Sequence, residues 1–89
     1  MKAFVQDFGV VVRQAREAQG WSQERLAERS DLNRSYVGEI ERGAAIASIV
    51  TAQKLAHSLG IHSAALLARC EDLERQRLAR RINLAAIAC

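Results

Sequence analysis

The sequence predicts an all-α fold, and its composition and its glycine positions support this prediction. The 89-residue chain contains 16 alanines and no proline, so the best helix former is abundant and the strongest helix breaker is absent. Hydrophobic residues make up 49% of the chain, which is enough for a packed core. Gly20, Gly43 and Gly60 each follow a segment of helical periodicity, as expected of residues that end helices. The length is that of a single domain.

These glycines and nearby serines divide the chain into five predicted helices. The first shows helical spacing of apolar residues from Phe4 onward. Ser22, Ser48 and Ser63 are placed as N-caps, since a serine oxygen accepts from an unpaired first-turn N–H. Asn33 is the corresponding cap of the third helix. The predicted ranges are 3–19, 23–30, 34–42, 49–59 and 63–88.

Length, charge and side-chain chemistry exclude several functional classes. Thirteen Lys and Arg against ten Asp and Glu give a net charge of +3, which is only weakly basic. No apolar run approaches the roughly 20 residues of a membrane span, and no signal peptide is apparent, so a cytoplasmic location is expected. His57 and His62 lack metal-ligand spacing with the two cysteines, so neither a metal nor a cofactor is expected. Catalytic constellations are absent, and the chain is predicted not to be an enzyme.

Residues 23–40 have the pattern of two short helices joined by a tight turn. Such a motif needs apolar residues on the facing sides, a small residue where the helices approach, and a turn residue that tolerates unusual backbone angles. Asp31 suits the turn, because aspartate accepts positive φ better than most residues. The core positions are Leu26, Ala27, Leu32, Val37 and Ile40.

This pattern resembles the helix-turn-helix of Cro and phage repressors, the XRE family. The resemblance covers residues 8–67 and rests on FGVVVRQAR, GWSQERLA, LNRSYVGEIERG and KLAHSLGI in this order and spacing. It implies a five-helix lambda-repressor-like DNA-binding domain with an extended C-terminal helix. It further implies a transcriptional regulator that binds double-stranded DNA at a palindromic operator as a homodimer, with the third helix in the major groove.

The resemblance assigns DNA contacts to the second and third helices. Arg34 is the first candidate for base readout, because an arginine fork matches guanine O6 and N7. The Ser35 hydroxyl can donate or accept a hydrogen bond. Glu39 could accept from cytosine N4, orient Arg34, or exclude wrong bases by repulsion. The candidates for phosphate contact are Ser22, Gln23, Asn33, Tyr36 and Arg42.

Two further residues match a structural feature of the family. Arg16 and Glu41 are expected to form a partly buried ion pair behind the recognition helix. Gly38 lies inside that helix, where glycine costs about 1 kcal/mol relative to alanine. Its missing side chain could permit close approach either of DNA or of a neighbouring helix.

Residues 68–89 are interpreted as a C-terminal helical extension of the domain formed by residues 1–67. Apolar side chains recur along this tail at helical spacing, and the resemblance favours a dimerisation element. The alternative is a helix folded back onto its own domain. Acidic residues in the tail argue against a membrane-binding helix. The predicted dimerisation residues are Leu66, Cys70, Leu73, Leu78 and Ile82.

Two departures from the family pattern support a second hypothesis. Residues 44–47 replace a loop that is usually polar and often basic. Val10 and Val11 stand where family members are usually charged, and with Phe4 and Val5 they could form an exposed apolar patch. Both features fit an antitoxin-like module that binds a partner protein, with DNA binding secondary.

Overall fold

The computed structural model describes residues 2–88, and over this range the chain forms five α-helices joined by short turns. The all-α prediction is confirmed, and each helix boundary lies within one residue of its predicted position. The helices are α1 (Lys2–Ala18), α2 (Gln23–Ser30), α3 (Arg34–Glu41), α4 (Ile49–Ser58) and α5 (Ser63–Ala88).

The helix starts follow the predicted capping chemistry with one exception. The Ser22 hydroxyl accepts from the Arg25 amide at 3.0 Å, and the Ser48 hydroxyl accepts from the Thr51 amide at 3.1 Å. The prediction for Ser63 was wrong by one position. Ser63 is the first residue of α5, and the Leu66 amide donates to the carbonyl of the preceding His62 at 2.9 Å.

The turn between α2 and α3 has the geometry that the motif requires. Asp31 adopts φ 56° and ψ 47°, the left-handed conformation predicted for it. This conformation lets the Leu32 amide donate to the Ala27 carbonyl at 2.9 Å, so Leu32 turns back toward the core. The second helix of the motif can then begin three residues later at a steep angle.

The core lies where α1 crosses both α3 and α5. This double contact corrects the predicted patch on α1. Val11 is buried with only 1% of its surface exposed, whereas Val10 is 41% exposed. Because α1 is covered on two sides, its apolar face is wider than that of a helix with one neighbour. The core side chains are Phe8, Val11, Val12, Ala15, Leu26, Ala27, Val37, Ile40, Leu55, Ala56, Leu59, Leu66 and Cys70.

Gly9 sets the distance between α1 and the end of α3. A Cβ atom at this position would lie 2.3 Å from the Ile40 carbonyl oxygen and 2.7 Å from the Glu41 carbonyl oxygen. Those oxygens belong to the backbone and have no rotamer through which to move away. Only glycine therefore permits this approach, which fixes α3 against α1.

The first half of α5 packs onto its own domain, which corrects part of the predicted dimerisation seam. Leu66 and Cys70 are at most 1% exposed, and the partly buried Leu73 packs against the same core. Asp7 of α1 then accepts two hydrogen bonds from Arg77, at 2.8 and 2.9 Å. The packed domain thus continues past the predicted boundary at residue 67, which falls inside α5.

The second half of α5 runs beyond the domain. The molecule extends 51 Å along its longest axis against 24 and 23 Å along the other two. Leu78 and Ile82 are 56% and 61% exposed, so these two predicted dimerisation residues remain accessible. None of the helices in residues 2–88 has the length and apolarity that a membrane crossing demands.

Candidate nucleic-acid interface

The side chains predicted to read DNA bases lie together on the exposed surface of α3. Arg34, Ser35 and Glu39 are all exposed. They line a groove of about 470 Å³ between α2 and α3, together with Gln23, Gly38 and Arg42. The structure thus brings the three base candidates and two of the five phosphate candidates, Gln23 and Arg42, into one groove.

Arg34 has a different carboxylate neighbour from the one the sequence suggested. Its Nε atom lies 3.6 Å from Oε1 of Glu24 in α2, whereas orienting Arg34 was one of three roles considered for Glu39. Both side chains of the pair are mostly exposed, at 64% and 75%. An exposed pair of this kind contributes little to stability, so Arg34 can separate from Glu24 at small cost.

The predicted ion pair between Arg16 and Glu41 is present and lies directly behind α3. Arg16 donates from Nε and Nη2 to the two Glu41 oxygens at 2.8 and 3.0 Å. Its Nη1 donates to the Trp21 carbonyl at 2.8 Å. The side chains are 12% and 2% exposed, and hydrogen bonding to Glu41 raises the pKa of Arg16. This planar fork ties α1, the turn before α2, and the end of α3 together.

Gln23 belongs to the same network, a link that sequence reasoning missed. Its Nε2 donates to Oε1 of Glu41 at 3.0 Å, which holds the side chain in place at the start of α2. An amide nitrogen carries two hydrogens, so one N–H of Gln23 is committed to Glu41 and the other can serve a ligand. The buried ion pair therefore positions the Gln23 side chain.

The remaining phosphate candidates stand at the helix starts and along α3. Asn33 caps α3, and its Oδ1 accepts from the Ser35 amide at 2.7 Å, which leaves its amide nitrogen to donate. Ser22 caps α2 in the same way and keeps its own hydroxyl proton. Tyr36 is half-buried against the core, whereas Arg42 is exposed at the end of α3.

Three residues that fix α1 against its neighbouring helices were not predicted from the sequence. Asp7 and Arg77 join α1 to α5, and hydrogen bonding from Arg77 holds the pKa of Asp7 below its ordinary value. Gly9 was visible as a glycine inside a helix, and Asp7 as a lone acid in an apolar segment. The sequence does not show which residues Gly9 and Asp7 contact, because those residues are distant along the chain.

The buried thiol of Cys70 has no reactive character. Burial, reinforced by the negative charge of Asp7, raises the pKa of Cys70 to about 11. Its Sγ–H donates to the Leu66 carbonyl at 3.4 Å. A thiol with so high a pKa is almost entirely protonated at neutral pH and is a weak nucleophile. Within the part of the chain that the structure describes, no cluster of His, Cys, Asp and Glu could hold a metal ion.

The fold and this surface define a helix-turn-helix domain, in which α3 is the exposed second helix and α2 lies across its start. A family model described as helix-turn-helix matches residues 12–66. The chain belongs to this family, of the XRE type, whose members are DNA-binding transcription regulators. The family prediction drawn from the four sequence motifs is thus confirmed.

Individual relatives agree with this assignment. The control protein C.BamHI of Bacillus amyloliquefaciens is 41% identical over 61 residues, which are 67% of this chain and 75% of that protein. The crystal structure of the restriction-modification controller protein C.AhdI from Aeromonas hydrophila has 47% identity and a TM-score of 0.68, covering 70% of this chain and 94% of that one. The clp gene regulator ClgR from Corynebacterium glutamicum has 26% identity and a TM-score of 0.84, covering 94% and 88%.

Proposed function

We propose that the protein is a cytoplasmic transcription regulator of the restriction-modification controller type that binds a palindromic operator as a homodimer. The observation that carries the proposal is the exposed face of α3, held rigid from behind by the Arg16–Glu41–Gln23 network. The identities of 41% and 47% with C.BamHI and C.AhdI support the controller type.

In this proposal α3 enters the major groove with its N-terminal residues against the base edges. Arg34 reads guanine, and Ser35 and Glu39 contact neighbouring bases. Phosphates on either side are bound by Gln23 and Arg42 within the groove. The remaining phosphate contacts come from Ser22, Asn33 and Tyr36.

A homodimer needs a surface that is complementary to its own copy, and an apolar patch beside α4 meets this condition. We define the α4 patch as Ile46, Ile49, Val50 and Leu67, which are 43% to 90% exposed. It borders an apolar cleft of about 350 Å³ between α1, α4 and α5. No Asp, Glu, Lys or Arg lies between Arg42 and Lys54, so two copies can meet there without opposing like charges.

We assign the α4 patch as the dimer interface and keep the distal part of α5 as the second candidate. The distal surface offers Leu78 and Ile82, but Arg80 and Arg81 lie between them. A two-fold contact through this segment brings arginines of the two copies near one another. To read two half-sites one turn of DNA apart, the dimer must hold its two recognition helices about 34–36 Å from each other.

The oligomeric proposal is tested by sedimentation of the full chain and of two matched variants. Ile49→Glu and Ile82→Glu each place one carboxylate at an exposed isoleucine, so neither disturbs the core. We expect wild type and Ile82→Glu to sediment as dimers and Ile49→Glu as a monomer. The reverse result assigns the interface to α5.

The DNA-binding proposal is tested by selecting bound duplexes from a randomised library at one fixed salt concentration. Salt is fixed because the phosphate contribution to affinity depends steeply on it. Enrichment of a two-fold palindrome is the expected result. No enrichment by a folded protein would contradict the proposal.

The second candidate function is a module that binds a partner protein, and the same apolar cleft favours it. A cleft lined by Phe4, Phe8 and Leu67 suits an apolar helix of another protein as well as a second copy. A chain that stays monomeric at micromolar concentration and enriches no palindrome would favour this candidate over the dimeric regulator.

A further inference from the structure

We propose that the distal part of α5 carries a docking site for an acidic amphipathic helix of another protein. We define the distal stripe as Arg75, Leu78, Arg81 and Ile82, all of which are exposed or partly exposed. The inference goes beyond the proposed DNA binding, because it concerns a different surface and a different class of partner. It also concerns a different surface from the apolar cleft beside α4, which no residue of the distal stripe lines.

The distal part of α5 has a charge unlike that of the rest of the chain. Residues 75–89 contain four arginines and no Asp or Glu, so they carry a formal charge of +4. The remaining residues together carry −1, because the whole chain carries +3. The net positive charge is therefore concentrated on the part of the helix that runs beyond the packed domain. A partner that is attracted to this segment is negatively charged.

The distal stripe combines this charge with exposed apolar side chains. Successive residues of an α-helix are rotated by about 100°, so Leu78 and Ile82 lie within about 40° of each other around α5. Arg75 and Arg81 lie about 60° to either side of Leu78. Leu78 and Ile82 are 56% and 61% exposed. The stripe thus has an apolar centre with an arginine on each side of it.

The arginines of this segment differ in how they are already paired. Arg77 donates to Asp7 at 2.8 and 2.9 Å, which attaches α5 to α1 just before the stripe. Arg81 lies beyond salt-bridge distance of every carboxylate within residues 2–88. A carboxylate of a partner can therefore bind Arg81 without displacing a described acid of this chain.

The position of the stripe argues against a second contact with DNA. Asp7 and Gly9 are two residues apart, so they lie on opposite sides of α1, about 200° apart. Asp7 binds Arg77 of α5, whereas Gly9 faces the Ile40 carbonyl of α3. α5 is therefore attached on the side of α1 that is turned away from α3. Leucine and isoleucine also contribute nothing to a phosphate contact, which depends on hydrogen-bond donors and positive charge.

Two other occupants fit the stripe less well. A second copy would bring four arginines without an acid against an identical segment, and like charges disfavour that contact. A lipid surface requires a broad apolar face. The exposed Leu84 lies about 120° from Leu78 around the helix, so the apolar centre of the stripe stays narrow. A narrow apolar line with flanking arginines fits a helix whose own apolar line is flanked by carboxylates.

The test titrates the full chain into a fluorescein-labelled designed peptide and follows fluorescence anisotropy. The acidic peptide spans about three heptads, with leucine at positions a and d and glutamate at e and g. The matched peptide has lysine in place of each glutamate. We expect the acidic peptide to bind about tenfold more tightly or better, because the lysines oppose the arginines of the stripe. Added salt should weaken this binding.

Two variants locate the contact on the molecule. Ile82→Glu and Arg81→Glu should each raise the dissociation constant of the acidic peptide about tenfold or more, and Arg81→Glu should also favour the lysine peptide. Both residues are exposed, so the melting temperature should not change. Ile49→Glu is the matched control, because it places the same carboxylate at an exposed isoleucine of the α4 patch. It should leave the affinity for the acidic peptide unchanged.

Four results would overturn the proposal. Equal affinity for the two peptides would show that charge does not select the partner. Peptide binding lost in Ile49→Glu but kept in Ile82→Glu would assign the peptide to the cleft beside α4. A dimer weakened by Ile82→Glu would assign the stripe to a second copy. Binding of wild type but not of Ile82→Glu to phosphatidylglycerol vesicles would assign it to a lipid surface. No DNA is present in the titration, so its failure is distinguishable from failure of the proposed DNA binding.

Discussion

Replacing Arg16 by methionine should destabilise the fold more than a substitution of any exposed residue, because the buried Glu41 carboxylate then loses its cationic partner. The Glu41 side chain is 2% exposed, and Arg16 supplies two of its three side-chain hydrogen bonds. In Arg16→Met only Gln23 remains to satisfy Glu41. Methionine keeps most of the packing volume of the aliphatic part of arginine. The decrease in the free energy of unfolding therefore measures the ionic and hydrogen-bonding contribution of the contact.

The expected loss follows from the burial of the pair. Removing one partner of a buried ion pair costs about 3–5 kcal/mol, since the other charge is left uncompensated. In a domain of this size each kcal/mol lowers the melting temperature by about 4–8 °C, so a fall of about 12 °C or more is expected. Thermal and urea unfolding followed by circular dichroism at pH 7 measure it.

Two controls separate this mechanism from a general effect of losing an arginine. Arg13→Met removes the exposed pair with Glu17, whose side chains are 63% and 54% exposed, and should cost less than about 0.5 kcal/mol. The double variant Arg16→Met/Glu41→Gln removes the stranded charge and should recover stability relative to Arg16→Met. A single-variant loss below about 1 kcal/mol, or a double variant less stable than the single one, would refute the reasoning.

Three further predictions concern separate parts of the molecule. Arg34→Ala should reduce discrimination at one base pair of each operator arm by about 1–3 kcal/mol without changing the melting temperature, as measured by binding to matched and point-mutated duplexes. Gly9→Ala should lower the free energy of unfolding by at least about 1 kcal/mol in urea titrations, because two carbonyl oxygens occupy the space of the methyl group. Asp7→Asn should lower stability at pH 7, and the deficit should shrink as the pH falls below 3.8.

The direction of the Asp7 effect follows from its pKa. Folding lowers the pKa of this carboxyl from 3.8, so below that value the unfolded chain binds more protons than the folded chain. The stabilisation is complete above 3.8 and disappears as the pH drops through the folded value. A deficit that stays constant from pH 7 to pH 2 would contradict the role of the Arg77 pair. For Arg34→Ala and Gly9→Ala, unchanged base preference and unchanged stability are the contrary results.

The local features of the fold could be predicted because their causes are local in the chain. Ser22, Asn33 and Ser48 cap helices through amides two or three residues away. Asp31 takes a left-handed conformation because of its own side chain and the next few residues. The family motifs also placed the Arg16–Glu41 pair correctly, although its two members are 25 residues apart. The caps and the turn follow from the residues themselves, whereas the ion pair was expected only because of the family resemblance.

The features that depend on how neighbouring helices pack could not be predicted from the sequence. The spacing of Leu66, Cys70 and Leu73 suits either a dimer seam or a fold-back onto α1, because both bury one stripe of a helix at the same period. In the structure this segment packs onto its own domain, whereas Leu78 and Ile82 are exposed. The pairing of Arg34 with Glu24 likewise depends on how α2 packs alongside α3.

The sequence by itself therefore determined the five helices, their ends, the helix-turn-helix class and the set of residues on its exposed face. Only the tertiary structure decided which stripe of α5 is covered, that Val11 is buried, and that Asp7 holds Arg77. The physical reason is that caps and periodicity act through bonds and near neighbours along the chain. Burial and ion pairing depend instead on distances between residues that only the assembled helices bring together.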